Sequence, residues 1–184
     1  MNSRFAISVL ALLVIQVVAA AQVNSPDNPA AVGAPVKSFV ELGSVYPANY
    51  DITVTVLEVV RGKDALELLK KTGPVKEEPK AGFEYLLARV KFDMAGRGVT
   101  ENKSFELGSS PLQWVAYSAN IEEYDGISVP LPKPSLTGIV RAGQAVEGWI
   151  AFAVEQKESK PIMAFDPDSG GANGRGKTLF FKLY

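Results

Sequence analysis

Short β segments follow one another along this chain with one helix-like interruption, and that pattern limits the fold more than any other feature. Tyr50-Asp51-Ile52-Thr53-Val54-Thr55-Val56 alternates apolar and polar residues at period two, the mark of a strand with one buried face. Phe83 to Met94 reads the same way, with Leu86, Ala88, Val90 and Phe92 on one face and Leu87, Arg89 and Lys91 on the other. Further β segments are Ser104 to Leu107, Leu112 to Ser118, Ser135 to Arg141, Val146 to Glu155, Pro161 to Phe165 and Thr178 to Tyr184. Gly, Pro and Asn punctuate them. A parallel sheet would need repeated crossover helices, so about eight short strands predict an all-β, two-sheet antiparallel β-sandwich.

The interruption is one short helical excursion. Arg61-Gly62-Lys63 breaks the preceding strand, Asp64 is placed to cap a helix carrying Leu68 and Leu69, and Gly73-Pro74 ends it. Lys76-Glu77-Glu78-Pro79-Lys80 then forms a solvated loop. In Val146 to Glu155, Val146, Gly148, Ile150, Phe152 and Val154 share one face, while Glu147, Trp149, Ala151, Ala153 and Glu155 share the other. In a sandwich, Trp149 therefore either looks outward or meets the helix. Gly148 inside a strand predicts a bulge or a close backbone approach, and Gly143 suits a turn demanding positive φ.

At the N-terminus, Arg4 precedes an apolar run from Phe5 to Val18, followed by Ala19-Ala20-Ala21. This is the pattern of a cleavable secretory signal peptide, residues 1–21, with Gln22 as the new terminus. Gln16 interrupts the run, which falls short of the roughly 20 apolar residues a spanning helix needs. Residues 22–35 are rich in Pro, Ala, Asn and Ser and read as a flexible leader; residues 36–184 form the sandwich. No later stretch is apolar enough to span a membrane, so the expected location is extracellular or in the cell envelope. With no cysteine, neither a lipid-modified cysteine nor a disulfide framework is available.

The formal net charge is −1 and basic residues are scattered, which argues against nucleic acid as a partner. Histidine is also absent, removing the commonest general base and transition-metal ligand. No cofactor is expected, and the chain reads as non-catalytic.

Five local patterns carry possible chemistry. Gly171-Ala172-Asn173-Gly174-Arg175-Gly176-Lys177-Thr178 matches the phosphate-loop spacing, but a β-like tail follows where the mechanism needs a helix. Asp166 and Asp168 begin like a calcium loop and make weak metal candidates, because Lys177 stands where a bidentate glutamate is required. Glu77-Glu78, Glu122-Glu123 and Asp125 are acid pairs of the kind a hydrolase uses, with separations that sequence does not reveal. Trp149, Tyr117 and Tyr124 are candidates for an exposed aromatic binding platform, while Trp114 is expected in the core. Asn102-Lys103-Ser104 fits a glycosylation sequon.

Three segments together resemble the telokin-like domain of unknown function found in bacterial secreted proteins, related in fold to mycobacterial immunoprotective extracellular protein. They are Val59 to Ala65, Gly82 to Val90, and Arg141 to Phe152, the last with its Gly143-Gln144 turn and the Gly148-Trp149-Ile150 strand. The resemblance implies an immunoglobulin-like sandwich, export, a bacterial host and no established activity. It supplies no catalytic residues. The resulting expectation is a secreted module binding a protein or cell-envelope component through sheet edges, loops or aromatic surface. A carbohydrate-recognition domain is the alternative, with a hydrolase behind it.

Overall fold

The structure, a computed structural model, describes residues 23–75, 78–98, 103–108, 110–169 and 174–184. The signal-peptide assignment lies outside the described residues. So do Glu77, the sequon's Asn102 and the centre of the glycine-rich 170–173 loop.

The described residues form an all-β antiparallel sandwich with one helix. Its elements are β1 (Val36–Leu42), β2 (Ala48–Arg61), α1 (Gly62–Thr72), β3 (Phe83–Gly96), β4 (Ser104–Leu107), β5 (Trp114–Tyr117), β6 (Gly138–Arg141), β7 (Gln144–Glu155), β8 (Ile162–Phe165), β9 (Gly174–Gly176) and β10 (Leu179–Lys182). One five-stranded sheet runs in the order β7-β3-β2-β1-β9. Against one face of it pack a three-stranded sheet, β10-β8-β5, and the β4-β6 pair, all contributing to one core.

That core follows the alternation in the sequence. Ile52, Val54 and Val56 of β2 meet Leu86, Ala88, Val90 and Phe92 of β3 and Ile150, Phe152 and Val154 of β7. From the opposite layer come Phe105, Trp114, Met163, Phe165 and Phe181. Gln113 is fully buried between the two smaller sheets and is satisfied there. Its Nε2 donates to the Glu106 carbonyl at 3.0 Å, and its Oε1 accepts from the Gly108 amide at 2.7 Å.

The other face of the large sheet is divided. Over β1, β2 and the later part of β3 it is polar, laced with ion pairs such as Arg97 to Asp51 at 2.6 Å and Arg89 to Glu147. Arg97 holds the Asp51 carboxyl below its ordinary range, chiefly through their hydrogen bond. Over the start of β3 and the middle of β7 it is covered, where α1 lays Ala65 and Leu69 on Tyr85, Leu87 and Trp149. Amphipathic spacing supplies the helix's apolar side, and a second, smaller core results.

Several boundaries differ from the sequence reading. The helix begins at Gly62, two residues before Asp64, because Gly62 at φ +64 turns the chain directly out of β2. Pro111–Gln113 form a 3₁₀ turn capped by Ser110 Oγ, so β5 starts only at Trp114. Val36–Leu42 and Gly174–Gly176 are strands that the alternation did not reveal, bringing the described strands to ten. Gly174 to Gly176 pair with Leu42 to Val40, which commits this end of the phosphate-loop pattern to a sheet rather than to a helix N-terminus.

The leader is also more ordered than its composition suggests. Asn24 uses its side-chain amide as a strand would use its backbone, donating to the Phe180 carbonyl and accepting from the Phe180 amide, both at 2.8 Å. Ala30 bonds Phe180 and Lys182 in a parallel bridge, so residues 24–30 cover the edge of β10. Hydrogen bonds to β10, from the Asn24 side chain and the Ala30 backbone, hold them, with Ala30 also packed on the core.

Candidate functional site

The long connection from Ser118 to Thr137 forms a strap from the three-stranded sheet to the edge of the five-stranded one. It begins in a tight turn. Ser118 Oγ accepts from the Asn120 and Glu122 amides at 3.2 and 3.1 Å, and Ile121 sits at φ +64, a costly conformation for a β-branched residue. Glu158 clamps the turn from outside, accepting from the Ala119 amide at 3.0 Å and from its neighbour Lys160 at 2.7 Å. These bonds, with Ala119 the largest cause, lower the Glu158 pKa.

A depressed folded-state pKa stabilises the turn above the unfolded carboxylate value, and that contribution disappears as pH falls through the lower folded value. Amide-exchange protection at Ala119 is therefore expected to fall on acidification. In Glu158→Gln, where nothing titrates, protection should stay flat once intrinsic exchange is corrected. An equal acid response in both proteins would exclude Glu158 as the cause.

Beyond the turn, the Tyr124 amide donates to the Ala116 carbonyl at 2.9 Å, anchoring the strap to β5. At its far end, the Trp149 amide donates to the Pro134 carbonyl at 2.9 Å, and the Leu136 amide donates to the Trp149 carbonyl at 3.0 Å. This second anchor needs Gly148, since a Cβ there would lie 2.5 Å from Leu136 N. Between the anchors the strap adheres through Ile127, Val129 and Leu131, which pack on the small core under α1.

Hollows flank this middle section. One of about 440 Å³ has an apolar floor of Phe83, Tyr85, Ile127 and Ala153, with Lys80 and Asp125 paired at 3.6 Å on its rim. A second of about 490 Å³ is lined by Trp114, Leu131, Leu136, Ile150, Ala151 and Phe152. A third of about 470 Å³ reaches Glu123 and Tyr124, and Gly126 to Ser128 border all three. Trp114 Nε1 is buried and has no hydrogen-bond partner among the described residues. Burial, then the charges of Glu158 and Glu155, raise the Tyr124 pKa.

The aromatic platform expected from sequence is not assembled. Trp149 is only 9% exposed and belongs to the small core beneath α1, because the helical excursion covers its face of β7. Tyr124 packs edge-on against Phe83, their ring centroids 6.3 Å apart, and Tyr117 is half-buried beside the strap's entry. Trp114 is buried at 7% exposure, next to Phe165. Asp166 Oδ1 accepts from the Asp168 amide at 3.0 Å, closing a local turn. No group of three His, Cys, Asp or Glu side chains stands together among the described residues.

What sequence patterns miss here is the strap. Residues 119–134 carry no strand or helix signal, and a connection of that length in a compact domain is itself the clue, since long unstructured loops are commonly functional.

No helix among the described residues is long and apolar enough to cross a membrane. Neither a family model nor a curated protein matches the sequence. Among solved structures the chain is similar to the yjhA protein of Bacillus subtilis, at a TM-score of 0.50 and 14% identity, over 84% of this chain and 99% of that one. It is also similar to ycdA of the same organism, a candidate lipoprotein, at a TM-score of 0.46 and 14% identity. That likeness covers 71% of this chain but only 36% of ycdA. At such identity, the likeness to yjhA is one of fold alone.

Proposed function

We propose that this protein is an exported, non-catalytic β-sandwich module that binds a protein partner of the cell envelope at the strap-bordered edge of its large sheet. Export rests on the signal-peptide pattern of residues 1–21, and absence of histidine and cysteine supports the non-catalytic part. Membership of the telokin-like family, with its immunoglobulin-like arrangement, belongs to the same reading. The observation that carries it is the set of hollows around Gly126 to Ser128, combining apolar floors with a few charged rim groups, as binding sites do.

Burial of Trp149 weakens the carbohydrate alternative by removing its best stacking surface. The test compares the exported protein and Asp125→Lys for binding to envelope proteins and to a glycan array. Asp125 is almost fully exposed, so its replacement leaves the fold intact. The expected result is retention of a protein that Asp125→Lys loses, with no glycan bound. Glycan binding without any protein partner would overturn the proposal.

A further inference from the structure

Trp114 carries a polar atom that the fold leaves unused. Its ring packs on Phe165, 4.4 Å away between centroids, and the residue is only 7% exposed. Nε1 is buried with it and finds no acceptor among the described residues. Buried polar side chains close by in sequence are treated differently. Ser110 Oγ accepts from the Leu112 amide, Gln113 is bonded at both ends of its side-chain amide, and Ser118 Oγ accepts from the Asn120 and Glu122 amides. A buried donor left unpaired costs more than an ordinary hydrogen bond returns, and phenylalanine could pack on Phe165 without that cost. The indole hydrogen therefore calls for an acceptor from outside the chain.

Two hollows meet at this residue. Pro111, Trp114, Phe152 and Gly126 to Ser128 line both the second and the third, of about 490 and 470 Å³, so Trp114 and the strap stand where they join. Leu131, Leu136 and Ile150 continue the apolar lining on one side. Leu112, Val115 and Ala116 continue it on the other, with Leu112 54% exposed. Each volume lies within the range of small-molecule sites. Glu123 is the one charged residue lining either hollow among the described residues. A carboxylate or phosphate would enter with no cation to pair it, and an ammonium has no acceptor to offer Nε1.

We propose that these two hollows form a binding site for an uncharged acyl ester, whose carbonyl oxygen accepts from Trp114 Nε1 while its hydrocarbon extends to either side. An ester carbonyl is an acceptor without charge and carries apolar chain on both sides, as the hollows lie on both sides of Trp114. This ligand goes beyond the binding-module reading, in which a protein partner addresses Asp125 at the first hollow.

The probe is butyl butanoate, titrated into the exported full chain and followed by the indole N–H signals in nitrogen-correlated NMR spectra. Cyclohexane, which is apolar but has no acceptor, and octanoate, which is charged, are the comparison ligands. The ester is expected to bind at about millimolar concentration or below and to move the Trp114 indole proton downfield. Trp149, in the small core under α1, serves as the internal reference and should stay in place. Cyclohexane should leave the Trp114 proton without a downfield shift, and octanoate should not bind. Trp114→Phe should weaken the ester by about threefold to tenfold, with cyclohexane binding unchanged within about twofold.

An equal downfield shift with cyclohexane, tighter binding of octanoate than of the ester, or no ester binding up to its solubility would overturn the proposal. So would a long-lived water on Trp114 Nε1 that the ester does not displace, since the donor would then serve a structural water. Should Trp114→Phe fail to fold, the indole shifts of the unaltered protein decide the matter. Ester binding that survives Asp125→Lys, with no envelope protein retained, would uphold this site while the binding-module reading fails. Asp125-dependent retention of a protein without ester binding would do the reverse.

Discussion

Replacing Phe165 by alanine is expected to destabilise the protein by about 4 kcal/mol, within the range for removing a large aromatic from a packed core. Phe165 lies on β8, the central strand of the three-stranded sheet, and is completely buried. Its ring is 4.4 Å from that of Trp114, 5.8 Å from Phe92 and 6.2 Å from Phe105, measured between centroids. Those neighbours come from β5, β3 and β4, so one side chain touches all three sheets. Relaxation of one neighbour cannot refill the space, because each belongs to a separately hydrogen-bonded element. Urea denaturation should show a lower midpoint with an unchanged slope. A loss below about 1 kcal/mol would mean that the cavity had collapsed and that this contact is not central.

Gly148→Ala is the second large effect, at about 3 kcal/mol, the upper part of the usual range for forcing extra volume into a packed site. A Cβ at Gly148 would stand 2.5 Å from Leu136 N, 2.5 Å from Ser135 C and 2.7 Å from Ser135 O. All three are backbone atoms, so no side-chain rotation relieves the clash. Either the strap anchor at Trp149 breaks or β7 moves away from it. Gly143 provides the contrast, since it needs φ +83 but a methyl group there would meet nothing within 4 Å, and alanine should cost only about 1 kcal/mol. Urea denaturation measures both losses. Faster amide exchange at Leu136 in Gly148→Ala would locate the damage at the anchor, whereas a stability loss no greater than that of Gly143→Ala would show that the strap retreats freely.

Much of this architecture was legible from periodicity. The core faces of β2, β3 and β7 follow from alternate apolar residues, and the close approach at Gly148 follows from a glycine inside an otherwise apolar strand. Trp149 was harder, because alternation separates the two faces of a strand without saying what covers each one. Its burial depends on α1, a tertiary fact. Gly174-Arg175-Gly176 has no apolar signal at all, and becomes a strand only through the backbone partners that β1 offers. Asn24 is similar, since an amide imitating a strand has no pattern in sequence.

The attachment of Asn24 to Phe180 joins residues 156 positions apart. Chains grow from the N-terminus, so residues near Asn24 are made long before the strand they cover. Until β10 exists, the early segment has nothing to bind; once β10 forms, its edge stays open until that segment returns. Closure of the sandwich is thus a late event that waits for almost the whole chain. Contacts of such wide separation slow folding because a large loop must close before any bond repays the cost. Timing, as much as final stability, is therefore written into that pair of hydrogen bonds.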